Sequence, residues 1–162
     1  MRSRTIYCEG MAYATAEARQ DLLDTIAAAT DDIAVALAAL GGAYEQLDEQ
    51  SGDRLESELF RPVQLAYGRA RATHSGFAQR TGLPAREFRP AAAGHPSQGV
   101  KGYVDAAADA LRTADGTLAE LQDSMLPVEV GDAELRAALA GVRELIADLP
   151  AHARRFISTF GR

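Results

Sequence analysis

The sequence predicts an all-α protein: an antiparallel four-helix bundle with one long connection between its second and third helices. Three observations predict it. Apolar residues recur in a 4-3 alternation in four separate stretches, the spacing that keeps one helical face against a partner helix. The composition is rich in alanine, with aromatics at 6% and no tryptophan, whereas a β-sandwich draws on Val, Ile, Thr and aromatic residues. The 162 residues make one ordinary domain, large enough to fold without a disulfide or a metal.

The first stretch interleaves Leu23, Thr30, Leu37 and Tyr44 with Ile26, Ile33, Leu40 and Leu47. It predicts a helix over about 12–50, long enough for its first turns to project past the bundle or to pack on the long connection. Gly41-Gly42 falls inside it, and the seam passes from Leu40 to Tyr44 without losing phase. Those glycines are therefore expected within the helix, at a cost of about 1 kcal/mol each relative to alanine.

Asp53 with Glu56 fits a capping box, which places a tight turn at Ser51-Gly52 and a second helix over 53–81. Its seam is Leu59, Val63, Ala66, Ala70, Thr73 and Phe77; Leu55 falls out of the alternation and Pro62 lies inside it. Proline removes a backbone donor and clashes with the preceding turn, so the helix either kinks there or begins afresh with Pro62 in its first turn, and a kink is the preferred reading. Gly82 is placed as the C-terminal stop.

The connection over 82–97 carries Pro84, Pro90 and Pro96, and either turns back or runs the length of the bundle. The third helix, over 98–126, has the seam Val100, Val104, Ala107, Leu111, Ala114, Leu118, Leu121 and Met125, and Pro127 ends it. Gly131-Asp132 supplies a turn and a capping acid. The fourth helix, over 132–160, has the seam Leu135, Leu139, Val142, Ile146, Leu149, Ala153, Phe156 and Phe160, with a bend expected at Pro150.

Charge is unevenly spread. The net charge of −6 speaks against general nucleic-acid binding, which needs a basic stripe to displace counterions from phosphates. Residues 59–101 nevertheless hold seven of the basic residues against one acid, Glu87, leaving ten basic and twenty-two acidic residues elsewhere. No run of about 18 apolar residues and no leader-like apolar segment follows the start, so a cytoplasmic chain without membrane attachment is expected. Cys8 stands alone and is expected to be a spectator thiol.

No pattern names a reaction. The chain has no Glu-x-x-His pair of the kind that di-iron bundles use, no Gly-x-Ser-x-Gly elbow and no glycine-rich phosphate loop. Glu144, Asp148 and His152 share four-residue spacing, but Pro150 interrupts them and a solvated charged face explains them better than a metal site. His74, beside the seam position Thr73, is expected to be a partly buried structural histidine. No cofactor and no metal is expected.

Two features stand out. Gly68, Ala72 and Gly76 form a small-residue stripe along which two backbones can approach, a pattern specific in membranes and weaker in water. Arg61, Arg69, Arg71, Arg80, Arg86 and Arg89, with Lys101, form the basic middle. The first function expected is a non-enzymatic helical interaction module that binds a protein partner or itself as a homodimer. The alternative is a small-molecule or anion binder using the 82–99 connection and the basic residues of 61–101 as a lid over one bundle end. A metal-dependent enzyme on a bundle scaffold has the least support.

Overall fold

The computed structural model describes the backbone of residues 3–160 and the side chains of residues 10–160. The protein is all-α, and no strand occurs among the described residues. Helix α1 spans Ser3–Glu45, passing through Gly41-Gly42 without a break. It starts earlier and stops sooner than 12–50. Its exit is wound out by Gln46 N–H donating to Ala43 O and Leu47 N–H to Tyr44 O. Asp48 then adopts extended backbone, accepts from Ser51 N–H at 2.8 Å and caps α2, Glu49–Leu55. The join is therefore Gln46–Asp48 rather than Ser51-Gly52, and Asp53 lies inside the helix it was expected to cap. Gly52 serves packing: a Cβ there would stand 3.2 Å from the Tyr44 ring.

The kink expected at Pro62 is replaced by a wide turn upstream of it. Residues Glu56–Phe60 form a π turn, closed by Arg61 N–H donating to Glu56 O, and the chain continues into α3, Arg61–Thr81, without leaving helical dihedrals. This accounts for both sequence irregularities at once. Pro62 cannot donate to the turn behind it, and the extra residue in the wide turn rotates Leu55 back into phase. Leu55, Leu59 and Val63 are accordingly all buried.

Gly82 closes α3 with φ 69°. An irregular strap leads to a 3-10 turn at Pro96–Gln98 and to α4, Gly99–Asp123. That helix stops before Pro127, which sits in the first turn of the short α5, Leu126–Glu129. Asp132 caps α6, Ala133–Ile146, by accepting from Leu135 N–H at 2.7 Å. The last stretch is two helices, not one bent helix: Ala147 and Asp148 join α6 to α7, Leu149–Thr159. Pro150 has no N–H to offer the Ile146 carbonyl, whereas the first turn of a new helix needs none from it.

Cross-links give the directions. Gly42 of α1 lies against Tyr103 of α4, while Arg19 Nε donates at 3.0 Å to the O of Val130, the residue after the short α5 that follows α4, so α1 and α4 run antiparallel. Arg80 meets Asp132, and Arg54 meets Thr159, so the α2–α3 column runs antiparallel to α6–α7. Tyr44 on Gly52 sets α1 against α2–α3 in the same sense. The second and third columns are thus parallel, and the 82–98 connection runs the length of the molecule to join them.

All four columns meet in one layer, where Ile26 and Thr30, Ala70 and Thr73, Leu118, and Leu139 and Val142 converge. Thr30 is wholly buried, and its hydroxyl donates to Ile26 O at 2.7 Å. Helix α1 packs against α3 and α4 and also carries the strap, so it is apolar over most of its circumference. An 18-residue window within Gly10–Glu45 has mean hydropathy 1.5, apolar enough to cross a membrane by length and composition, and 61% of it is buried inside the protein. Before Arg19 the helix projects: Met11 and Tyr13 are 71% and 81% exposed. Cys8 lies outside the residues whose side chains are described.

Candidate functional site, a groove between two irregular helices

The two breaks in helical regularity face each other. The π turn and the α6–α7 join both border one open groove of about 910 Å³, with Ser57, Glu58 and Pro62 on one wall and Leu145, Asp148 and Leu149 on the other. Toward α6 it continues as a smaller channel of about 310 Å³ that shares Arg69 and Gly141 and is lined by Ala72, Gly76, Ala137 and Ala138. Behind it α3 and α6 stay in contact, Ala70 and Thr73 meeting Leu139 and Val142.

Arginines tie both ends. At one end Arg54 Nε donates to Glu58 at 3.2 Å, its Nη2 donates to Thr159 at 3.1 Å, and its guanidinium lies 5.2 Å from the Phe156 ring centroid. At the other, Arg80 makes two hydrogen bonds to Asp132, at 2.7 and 3.0 Å, with Glu134 at 3.4 Å. The hydrogen bond to Asp132 raises the Arg80 pKa, and the same bond, then Leu135 N–H, holds the Asp132 carboxyl below its ordinary value. Between the ends, Arg69, Arg155, Glu144 and Asp148 line the groove and form no ion pair among the described residues. Pro62, Leu145 and Leu149 give it apolar surface.

The sequence-predicted site residues are dispersed by this arrangement. Arg69 and Arg80 border the groove with Ala72 and Gly76. Gly68 is exposed, with nothing within 4 Å of a Cβ position. Gly76 is not open in that way, since Arg80 would stand 3.1 Å from its Cβ. Arg61 pairs with Glu56 at 3.3 Å. Arg71 lies 5.1 Å from the Tyr67 ring centroid. Arg86 pairs with Asp31 at 2.8 Å on the strap, and Arg89 is exposed there. Lys101 pairs with Asp105.

Glu144, Asp148 and His152 do share a wall of the groove, but among the described residues no group of three or more His, Cys, Asp or Glu side chains is placed to hold a metal ion. Arg54, Glu58, Gly141 and Arg155 were not singled out by sequence. Their signal was indirect: two prolines, Pro62 and Pro150, each inside an apolar phase that continues on both sides. His74 is more buried than expected, at 2% exposure. Its pKa is lowered by desolvation, then by the Arg86 charge, against a smaller pull from Asp24.

No family model, curated protein or solved structure matches this chain.

Proposed function

We propose that the protein is a non-enzymatic helical interaction module that receives a segment of a partner protein in the groove between α2–α3 and α6–α7. The observation that carries this is the shape of the groove beside the π turn and the α6–α7 join: open along its length and bridged by Arg54 at one end and Arg80 at the other. A small ligand is usually enclosed over most of its surface, whereas an elongated open channel suits a peptide or helix laid along it. Small residues at Ala72, Gly76, Ala137 and Gly141 permit close approach of a backbone, and the charges on both walls supply polar contacts of either sign. The partner class includes a second copy of this chain, for which the exposed Gly68 offers a neighbouring contact.

The test is site-specific photocrosslinking, with the reactive side chain at Ala138 in the groove or at Asp109 on the exposed face of α4. The reading expects one discrete crosslinked species from position 138, lost on adding Gly141→Leu, and none from position 109. Equal labelling from both positions, or none from either, overturns it. A second reading, anion binding, rests on Arg69 and Arg155 lining the groove without an ion-pair partner among the described residues. It predicts that inorganic phosphate or a dicarboxylate raises the melting temperature of the wild type but not of Arg69→Gln.

A further inference from the structure

The segment Leu83–His95 is held to α1 and α3 by few contacts. Apart from Leu83, Phe88 and Ala91, which are partly buried against the core, its residues are exposed. Phe88 meets His74 edge to face, with ring centroids 5.2 Å apart at 86°. Arg86 also lies on this anchor, 5.0 Å from the Phe88 centroid, and is pinned to Asp31 of α1 at 2.8 Å. Beyond Ala91 the strap is next tied by Tyr103 O–H donating to Gly94 O at 2.7 Å.

The anchor under Phe88 is a titratable group in an unusual place. His74 is buried, and its Nδ1 has no hydrogen-bond partner among the described residues; the Tyr67 hydroxyl, two turns back on the same face of α3, shares that condition. The charged groups that face it are Arg86 from the strap and Asp24 from α1, with Asp31 of α1 paired to Arg86; Arg71, three residues back on α3, is engaged on the Tyr67 ring.

We propose that residues 83–95 form an acid-released strap, in which protonation of His74 expels Phe88 and Arg86 from the α1–α3 face. A neutral imidazole sits against an aromatic edge at little cost. An imidazolium there is desolvated and faces the Arg86 guanidinium, offset in part by Asp24 and by the Asp31 carboxylate that Arg86 pairs with. Opening hydrates the ring and carries Arg86 away, which relieves both penalties, and it uncovers His74.

The sign follows from linkage. In the closed state the His74 pKa lies below its ordinary value, and in the open state it returns toward about 6.5. Above that pH both states are neutral and the strap is indifferent to acid. As pH falls below it, the open state binds the proton first and gains population.

The experiment is a two-dimensional NMR titration of the full chain from neutral pH to mild acid, following the His74 ring and the backbone amides of Arg86–Ala91. The proposal expects a His74 midpoint below the ordinary histidine value, with strap amides shifting at the same midpoint. In His74→Phe the strap amides should no longer respond. In Asp31→Asn, trypsin should cut after Arg86 severalfold faster at neutral pH, Arg89 being protected by Pro90. If His74→Phe does not fold, Phe88→Leu serves instead, and should move the His74 midpoint upward. A midpoint at or above the ordinary value, a silent strap while His74 titrates, or an unchanged response in His74→Phe each overturns it.

Discussion

Tyr103 lies across Gly42 so closely that a Cβ on that glycine would stand 2.7 Å from the tyrosine ring. The ring has nowhere to go: it is 2% exposed, and its hydroxyl donates to Gly94 O at 2.7 Å. One side chain thus limits the approach of α1 to α4 and pins the far end of the strap.

The neighbouring glycine makes the control. Nothing lies within 4 Å of a Cβ at Gly41, so Gly41→Ala should stabilise the protein by up to about 1 kcal/mol through helix propensity alone. Gly42→Ala gains the same propensity but forces an overpacked contact, which costs typically 1–3 kcal/mol. Urea unfolding should show the two alanines moving the midpoint in opposite directions. Equal gains would mean that Tyr103 is free to yield.

Asp132 carries two roles at one atom pair, capping α6 through Leu135 N–H and receiving Arg80. Asp132→Ala should cost about 0.5–2 kcal/mol, the usual range for losing an N-cap; the partly exposed ion pair adds little. Asp132→Asn retains a cap oxygen and loses the charge. Because the folded carboxyl is held below its ordinary value, its contribution is complete above the unfolded value near 3.9 and disappears as pH falls through the folded one. Melting curves should therefore separate wild type from Asp132→Asn at neutral pH and bring them together in strong acid.

How well each helix could be read from sequence depended on how many neighbours it has. Helices α4 and α6–α7 bury a single stripe, and their predicted seams are buried except at Met125 and Phe160, which lie at or past the helix ends and are 50% and 39% exposed. Helix α1 touches α3, α4 and the strap. Its most buried heptad column is Leu22, Ala29, Ala36 and Ala43, one position before the predicted Leu23, Thr30, Leu37 and Tyr44. Leu23 and Thr30 are buried as well, so apolarity alone does not single out a stripe; Tyr44, 47% exposed, shows where the predicted one leaves the core. The groove was harder still to read. Its larger part lies beside two departures from helical regularity, which periodicity registers only as a missed beat at Leu55 and a misplaced proline.

Self-association is tested at Gly68 rather than Gly76, since nothing lies within 4 Å of a Cβ at the first, whereas Arg80 stands 3.1 Å from one at the second. If two copies pack along that stripe, Gly68→Leu should convert dimer to monomer in light scattering without loss of helix. If the stripe faces solvent alone, the substitution should leave solution mass unchanged and alter stability only by a small propensity gain. A monomeric wild type at high concentration would dispose of the dimer before any variant is made.

The π turn supports a sharper prediction, because its cause is a matter of counting. Leu55, Leu59 and Val63 are spaced by four and four, while an α-helical seam continuing backward from Val63 and Leu59 calls for its next apolar residue at 56. Deleting Ser57 restores that spacing and lets a plain α-helix bury the same leucines, but it returns Pro62 to a regular helix interior, at a cost of about 3 kcal/mol. The deletion alone should therefore be destabilised, and combining it with Pro62→Ala should recover most of the loss. The double variant should remain helical by circular dichroism, with α2–α3 packed more closely on α6–α7. If the groove holds the partner, crosslinking from position 138 should fall in this variant while its stability stays near that of the wild type. Severe unfolding of the double variant would show that the wide turn is required for more than register.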